Sequence, residues 1–220
     1  MAPLFSLGQG NDTIGDSGNY FLGGPGNDIL MANGAPNYLF GGAGTDTASY
    51  GVLFVGMTSG VTVNLGIATA QPTGGSGSDT LISIENLIGT IFVDNLTGNS
   101  GPNTLNGGGG NDVLNGMGGA DILIGGDDSD TYYVDNIGDT VTETNASIST
   151  GGTDLVNSYL STYTLTPNVE NGRILASGTA SLTGNTLNNV LDAGAGNNIL
   201  DGGTGMDTAS QETQFISMID

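Results

Sequence analysis

Residues 89–133 read as five consecutive nine-residue units without slippage. Position one is Gly89, Gly98, Gly107, Gly116 and Gly125. Position six is Asp94, Asn103, Asp112, Asp121 and Asp130, and position eight is Leu96, Leu105, Leu114, Leu123 and Tyr132. A short fixed period with one apolar slot per unit predicts a solenoid, in which each unit buries its face only against its neighbours. One apolar side chain per unit buries too little surface to offset the ordering of nine backbone units, glycines among them. Stacked aspartates add repulsion. A divalent cation between successive turns cancels that charge and couples folding to metal binding.

The pattern recurs in two further blocks. Over 7–49 the position-six acids are Asp12, Asp28 and Asp46, and the units around Tyr20 and Asn37 carry none at that position. The apolar slots there are read as Ile14, Leu22, Leu30, Leu39 and Ala48. If two units make a coil, the three position-six acids of this block share one edge of the roll and leave the other poor in charge. In the block over 89–133, Asp94, Asp112 and Asp130 share one edge and Asn103 and Asp121 the other. At position six the third block, 177–210, has Asn189 and Asn198 and only Asp207 as an acid, so weak or no metal binding is expected. Its apolar slots are Leu182, Leu191, Leu200 and Ala209.

Two strand-rich inserts, 50–88 and 134–176, separate the blocks, and a tail, 211–220, follows them. In the first, 52–57, 61–70 and 80–89 read as strands, with QPTGGSGSD (71–79) as a turn. In the second, YYVDNIGDTVTE and DLVNSYLSTYTL read as strands. NVEN followed by LTGN (182–185) echoes IEN followed by LTGN (96–99), so insert plus block is itself an approximate repeat. The expectation is one elongated β-solenoid over 1–220, with strand character in the tail at Phe215 and Ile216.

Composition narrows the function. Twenty-two acids face a single base, Arg173, for a net charge of −21. That opposes nucleic acid and anionic membranes as partners and favours cations. No apolar stretch approaches a membrane span, and the N-terminal MAPLFSLGQGND is no Sec signal peptide. Without His, Cys or Lys, every Ser-His, Cys-His and Lys-based nucleophile arrangement is unavailable. The acids sit in turn registers, so no enzyme is expected. Arg173 is read as a surface residue near Glu170, with an interface ion pair as the alternative. Tyr132, Tyr133, Tyr159 and Tyr163 are read as strand packing, with a carbohydrate platform as the weaker alternative.

GGGGNDVLN (107–115), GMGGADILI (116–124) and GGPGNDILM (23–31) resemble the GGxGxDxUx nonapeptide of the RTX (repeats-in-toxin, haemolysin-type) calcium-binding family. The resemblance implies a parallel β-roll with two nonapeptides per coil and several calcium ions between turns. The implied ligands are the position-six carboxylates Asp12, Asp28, Asp46, Asp94, Asp112, Asp121, Asp130 and Asp207, with Asp128 in the most acidic turn. Carbonyls of the glycine turns at Gly24, Gly26, Gly42, Gly44, Gly108, Gly110 and Gly126 complete the set. All are hard oxygen donors, which suit calcium. The resemblance also implies a secreted or cell-surface protein, exported by bacterial type I secretion, that folds on meeting external calcium.

GGTGMDTAS (202–210) copies GGAGTDTAS (41–49), and the repeats run from about Leu7 to Ser210, so neither end of the roll carries an expected cap. Open coils are templates for another chain. The expected function is a calcium-binding structural protein that self-assembles end to end into an extracellular filament, sheath or surface layer. The alternative is a C-terminal calcium-binding and secretion module of a larger exoenzyme or adhesin.

Overall fold

The structure, a computed structural model, describes residues 4–6, 8–15, 20–51, 58–145 and 150–210. The chain winds as a parallel β-solenoid of about ten turns, with no helix among the described residues. Short strands suit this sequence: each unit supplies one inward apolar residue between two outward ones, and glycines end the strand within a few residues.

One face of the roll holds β1 (Leu4–Ser6), β3 (Tyr20–Pro25), β5 (Tyr38–Ala43) and β9 (Gly77–Ile82), with β8 (Gln71–Gly74) beside β9. A second sheet comprises β7 (Thr62–Asn64), β11 (Asn95–Thr97), β13 (Val113–Asn115), β15 (Thr131–Val134), β17 (Leu155–Ser158), β19 (Asn171–Ile174), β21 (Val190–Asp192) and β23 (Thr208–Ser210). Strands that alternate with these along the chain form the opposite face. They are β2 (Thr13–Ile14), β4 (Ile29–Met31), β6 (Thr47–Ser49), β10 (Asn86–Ile88), β12 (Thr104–Gly109), β14 (Ile122–Asp127) and β16 (Thr140–Thr142), then β18 (Thr162–Thr164), β20 (Ser181–Thr183) and β22 (Ile199–Asp201). Among the described residues every pairing is parallel except the hairpin β8–β9. Leu96 faces Leu114, and Leu114 faces Tyr132, so two nonapeptides make one coil.

The apolar slots of 89–133 are all solvent-excluded: Leu96, Leu105, Leu114, Leu123 and Tyr132 are 0% exposed. They continue into the second insert as Val141 and Val156 and into the third block as Leu182, Leu191 and Leu200. The first block departs from expectation at one slot. Phe21 is buried and pairs in register with Leu39, while Leu22 is only half-buried. An aromatic residue next to leucine competes for the same inward position, and strand register, not local spacing, chooses between them.

The inserts differ from expectation in detail. Only Thr62–Asn64 of 61–70 is a strand, after which the Gln71 side chain accepts the Asn64 N–H (2.8 Å) and donates to its carbonyl (3.0 Å). The stretch read as a turn, 71–79, is largely the β8–β9 hairpin, closed by Gly74 and Gly77 at φ 68° and 96°. Residues 80–89 make two strands, β9 and β10, separated by a corner at Ser83. The expected strands at 52–57 and in the tail lie outside the described residues. Each insert interrupts one face and leaves the other continuous. At 50–88, β6 pairs directly with β10 while β9 extends the earlier sheet and β7 begins the later one. At 134–176, β15 pairs with β17 while the opposite sheet stops at β16 and restarts at β18.

Candidate metal centre

The position-six residues form two columns along the two edges of the roll. Where position six is an acid, its side chain accepts the backbone N–H of the residue at that position one coil earlier. On one edge Asp28 Oδ1 takes the Asp12 amide, Asp46 Oδ1 takes the Asp28 amide and Glu85 Oε2 takes the Asp46 amide, each at 2.8 Å. The same edge continues through Asn103, Asp121 and Asp139, at 2.8 and 3.1 Å. On the other edge Asp112, Asp130, Asp154 and Glu170 take the amides of Asp94, Asp112, Asp130 and Asp154 at 2.7–2.9 Å. Asp207 closes this edge by accepting the Asn189 amide at 2.8 Å. The edge rich in acids therefore changes sides: it precedes β2, β4 and β6 in the first block and β11, β13 and β15 in the second.

One carboxylate oxygen is thereby used. The other points into the turn over the position-one glycine, where any Cβ would overlap it: Asp28 over Gly23, Asp46 over Gly41, Asp112 over Gly107, Asp121 over Gly116 and Asp130 over Gly125. Each of these five Oδ2 atoms is buried and accepts no hydrogen bond. Leaving such an acceptor unpaired is costly unless a cation or proton satisfies it. Where position six is asparagine the contrast is plain. Asn37 Nδ2 donates to the Asn33 and Ala35 carbonyls, and Asn189 Nδ2 to Val169 and Glu170. Asn198 Nδ2 donates to Ala193 and Ala195. In those turns an amide group satisfies carbonyls that an ion would otherwise need to satisfy.

The seven glycines expected to lend carbonyls all lie in the turns at positive φ, from 100° at Gly110 to 143° at Gly44. Their backbones stack so closely that a Cβ at Gly42 would overlap the Gly24 carbonyl oxygen, and one at Gly126 that of Gly108. Carbonyl columns and unpaired Asp oxygens thus run alongside each other, an all-oxygen donor set fitted to calcium. Asp128 takes the corresponding glycine position with φ 72°; its side chain is exposed. Asp94 is different: Oδ1 accepts the Val61 N–H and the Thr90 hydroxyl, and Oδ2 accepts the Thr90 N–H. It closes the junction with the first insert and keeps no spare oxygen. Asp12 and Asp207 are half-buried.

Burial without a cation disfavours charge on these acids. Desolvation pushes Asp112 to about 8 with help from Asp94, Asp130 and Asp128, although the Asp94 amide opposes the shift. Desolvation likewise lifts Asp130 and Asp154 to about 7 and Asp121 to about 6. Sequence reading missed Glu85, Asp139, Asp154 and Glu170, all of which extend the columns through stretches read as inserts. The IEN/VEN echo held the signal for Glu85 and Glu170, since both acids precede a β-strand at position six.

Arg173, read as a surface residue near Glu170, pairs with Asp192 (3.1 Å) on the neighbouring strand. Among the tyrosines read as packing, Tyr132 is core but Tyr159 is 50% exposed. No helix of the described residues is long and apolar enough to cross a membrane.

A family model described as the RTX calcium-binding nonapeptide repeat matches the chain four times, at residues 22–51, 88–123, 97–132 and 177–209. These matches fall on the three repeat blocks, the first of them from residue 22 onward. No curated protein matches the chain.

Proposed function

The chain belongs to the RTX calcium-binding nonapeptide-repeat family, and from that premise we propose that it is a secreted structural protein, folded by calcium, whose rolls join end to end into an extracellular filament, sheath or surface layer. The repeats bind calcium at several sites, and proteins that carry them are typically secreted. The roll is a structural calcium-binding fold, and no catalytic role is proposed for it. The observation that carries the reading is the set of five buried Asp oxygens without a hydrogen-bond partner, set against asparagines whose amides fill the equivalent turns. On this reading Asp28, Asp46, Asp112, Asp121 and Asp130 ligate calcium with the carbonyls of their glycine turns, and the turns at Asn37, Asn189 and Asn198 hold none. The solenoid acts as one continuous unit over 1–220, exported by type I secretion before calcium orders it.

Assembly follows from the coil geometry. Every turn of a parallel solenoid presents the same row of N–H and C=O groups, so a coil of one copy suits a coil of the next. Such a contact is heterologous and propagates into a filament unless it closes a ring. At a net charge of −21, copies repel each other in low salt, and calcium both screens that repulsion and orders the coils. Size-exclusion chromatography with light scattering, in chelator and in millimolar calcium, tests the reading. Large, calcium-dependent, chelator-reversible species are expected. A monodisperse monomer at high concentration in calcium would remove self-assembly and leave the secretion-module alternative.

A further inference from the structure

Glu143 occupies a place that glycine holds in the coils before it. It follows Thr142 at the end of β16, one coil on from Gly125, which follows Ile124 within β14 in the paired register Ile124↔Thr142. Gly107 and Gly125 leave the space above them to an aspartate oxygen, whereas Glu143 sends a carboxylate back across that space. A Cβ placed on Gly125 would meet Asp130 Oδ2, Glu143 Oε1 and the Tyr132 hydroxyl at once. Asp154 arrives from the next coil, accepting the Asp130 amide at 2.8 Å. Carboxylate oxygens of Asp130, Glu143 and Asp154 lie within 4.8 Å of one another.

All three side chains are at least nine-tenths buried, at 1%, 7% and 1% exposure. Proximity of acids alone would say little. Here, however, Asp130 Oδ2 and Glu143 Oε2 are both buried and accept no hydrogen bond, and their residues belong to the cluster. The remaining oxygens are held in place: Tyr132 donates its hydroxyl to Glu143 Oε1, and the Asp112 amide donates to Asp130 Oδ1 at 2.7 Å. Asn168 Nδ2 fixes the Glu143 backbone carbonyl at 3.0 Å. The chain has one basic residue, Arg173, and its ion pair is with Asp192.

We propose that Glu143 adds a third carboxylate to the turn position that Asp130 shares with Asp154 of the next coil, turning a repeat-type cation site into a three-carboxylate site suited to one calcium ion. Affinity in oxygen sites rises with the number of charged ligands. With three carboxylates where a repeat turn such as that of Asp112 and Asp130 brings two, this site is the tightest on the roll. It also has a structural consequence. The coil between Asp130 and Asp154 is lengthened to 24 residues from the usual 18, and the ion clamps both ends of that longer coil to the regular roll. The inference uses the calcium-binding reading of the repeats but not the assembly reading.

Equilibrium dialysis of calcium against the whole chain, with the variants Glu143→Gln and Glu143→Gly, tests it. Glutamine keeps the shape and the tyrosine contact; glycine restores the residue found in the coils before it, so the roll folds without the carboxylate. The wild-type chain is expected to show one site at least tenfold tighter than the others. Both variants should bring that site to the level of the rest and leave the other sites unchanged. Unchanged affinities in both variants, or weakening spread equally over every site, overturns the proposal while the repeat reading stands. A wild-type chain that binds no calcium overturns both.

Discussion

Asp112→Asn separates the two demands placed on a position-six residue. Asp112 Oδ1 accepts the Asp94 amide at 2.7 Å, which an asparagine oxygen reproduces. Its Oδ2 is buried over Gly107 and unpartnered, and in the variant it becomes an NH2 that can donate to turn carbonyls, as Asn37, Asn189 and Asn198 do. The substitution should change sign with the ion. In chelator, it removes a buried carboxyl that burial and neighbouring acids push up to about 8, so above that pH the variant should fold more readily than wild type. In calcium, it removes a charged ligand. If one ion at about a hundredfold above its Kd is lost, the roll gives up about 2.7 kcal/mol, a loss of about a hundredfold in the folding equilibrium. Far-UV circular dichroism across a urea series, with and without calcium, reads both arms. Equal destabilisation in calcium and in chelator would refute the reasoning, because it would mean that Asp112 acts through packing or hydrogen bonding alone.

Raised carboxyl pKa values give the metal-free roll a definite pH dependence. With Asp121 near 6, Asp130 and Asp154 near 7, Asp112 near 8 and Glu143 near 9, the protonated forms fit the fold. Their contribution is complete below the ordinary carboxylate range and is lost as pH rises through these values. In chelator, β-structure should appear on acidification and vanish by pH 9, and calcium added near neutrality should release protons; a pH-independent apo spectrum contradicts this. Asn198→Ala strands the Ala180 amide that its Oδ1 accepts and the carbonyls its amide serves, and should cost about 1–3 kcal/mol. Because no ion is involved, urea midpoints should fall equally with and without calcium. Gly42→Ala combines φ 117° with overlap of the Gly24 carbonyl, and should cost about 2–4 kcal/mol. A calcium-saturated melting temperature within a degree of wild type would count against the stacked-turn geometry.

The sequence by itself determined the repeating unit. A period of nine with an apolar slot, a position-six oxygen and turn glycines is a local property, and in 89–133 it placed every core residue and both acid columns correctly. It also anticipated that asparagine at position six makes a turn different from an aspartate turn, though not how: Asn37 and Asn198 donate to carbonyls of their own turns, whereas Asn189 reaches those of the coil before it. Tertiary structure alone decided what happens between the blocks. Whether Phe21 or Leu22 turns inward depends on the register against Leu39. Which edge an acid joins depends on how many residues the preceding insert consumes, and the switch of the acid-rich edge between Asp46 and Asp112 is legible only once β6 is seen to pair with β10 and β7 with β11. Asp139 and Asp154 look like scattered acids in irregular sequence until coiling stacks them beneath the repeat aspartates, whereas the shared IEN/VEN stretches mark Glu85 and Glu170. Glu143 reads as a polar residue after a strand, and only the coil one turn earlier, with Gly125 directly against it, makes it a third carboxylate beside Asp130 and Asp154. The physical reason is that a solenoid's local period fixes which way a side chain points, whereas its neighbours lie a whole coil away, and coil length is set by hydrogen bonds between strands that no short window of sequence contains.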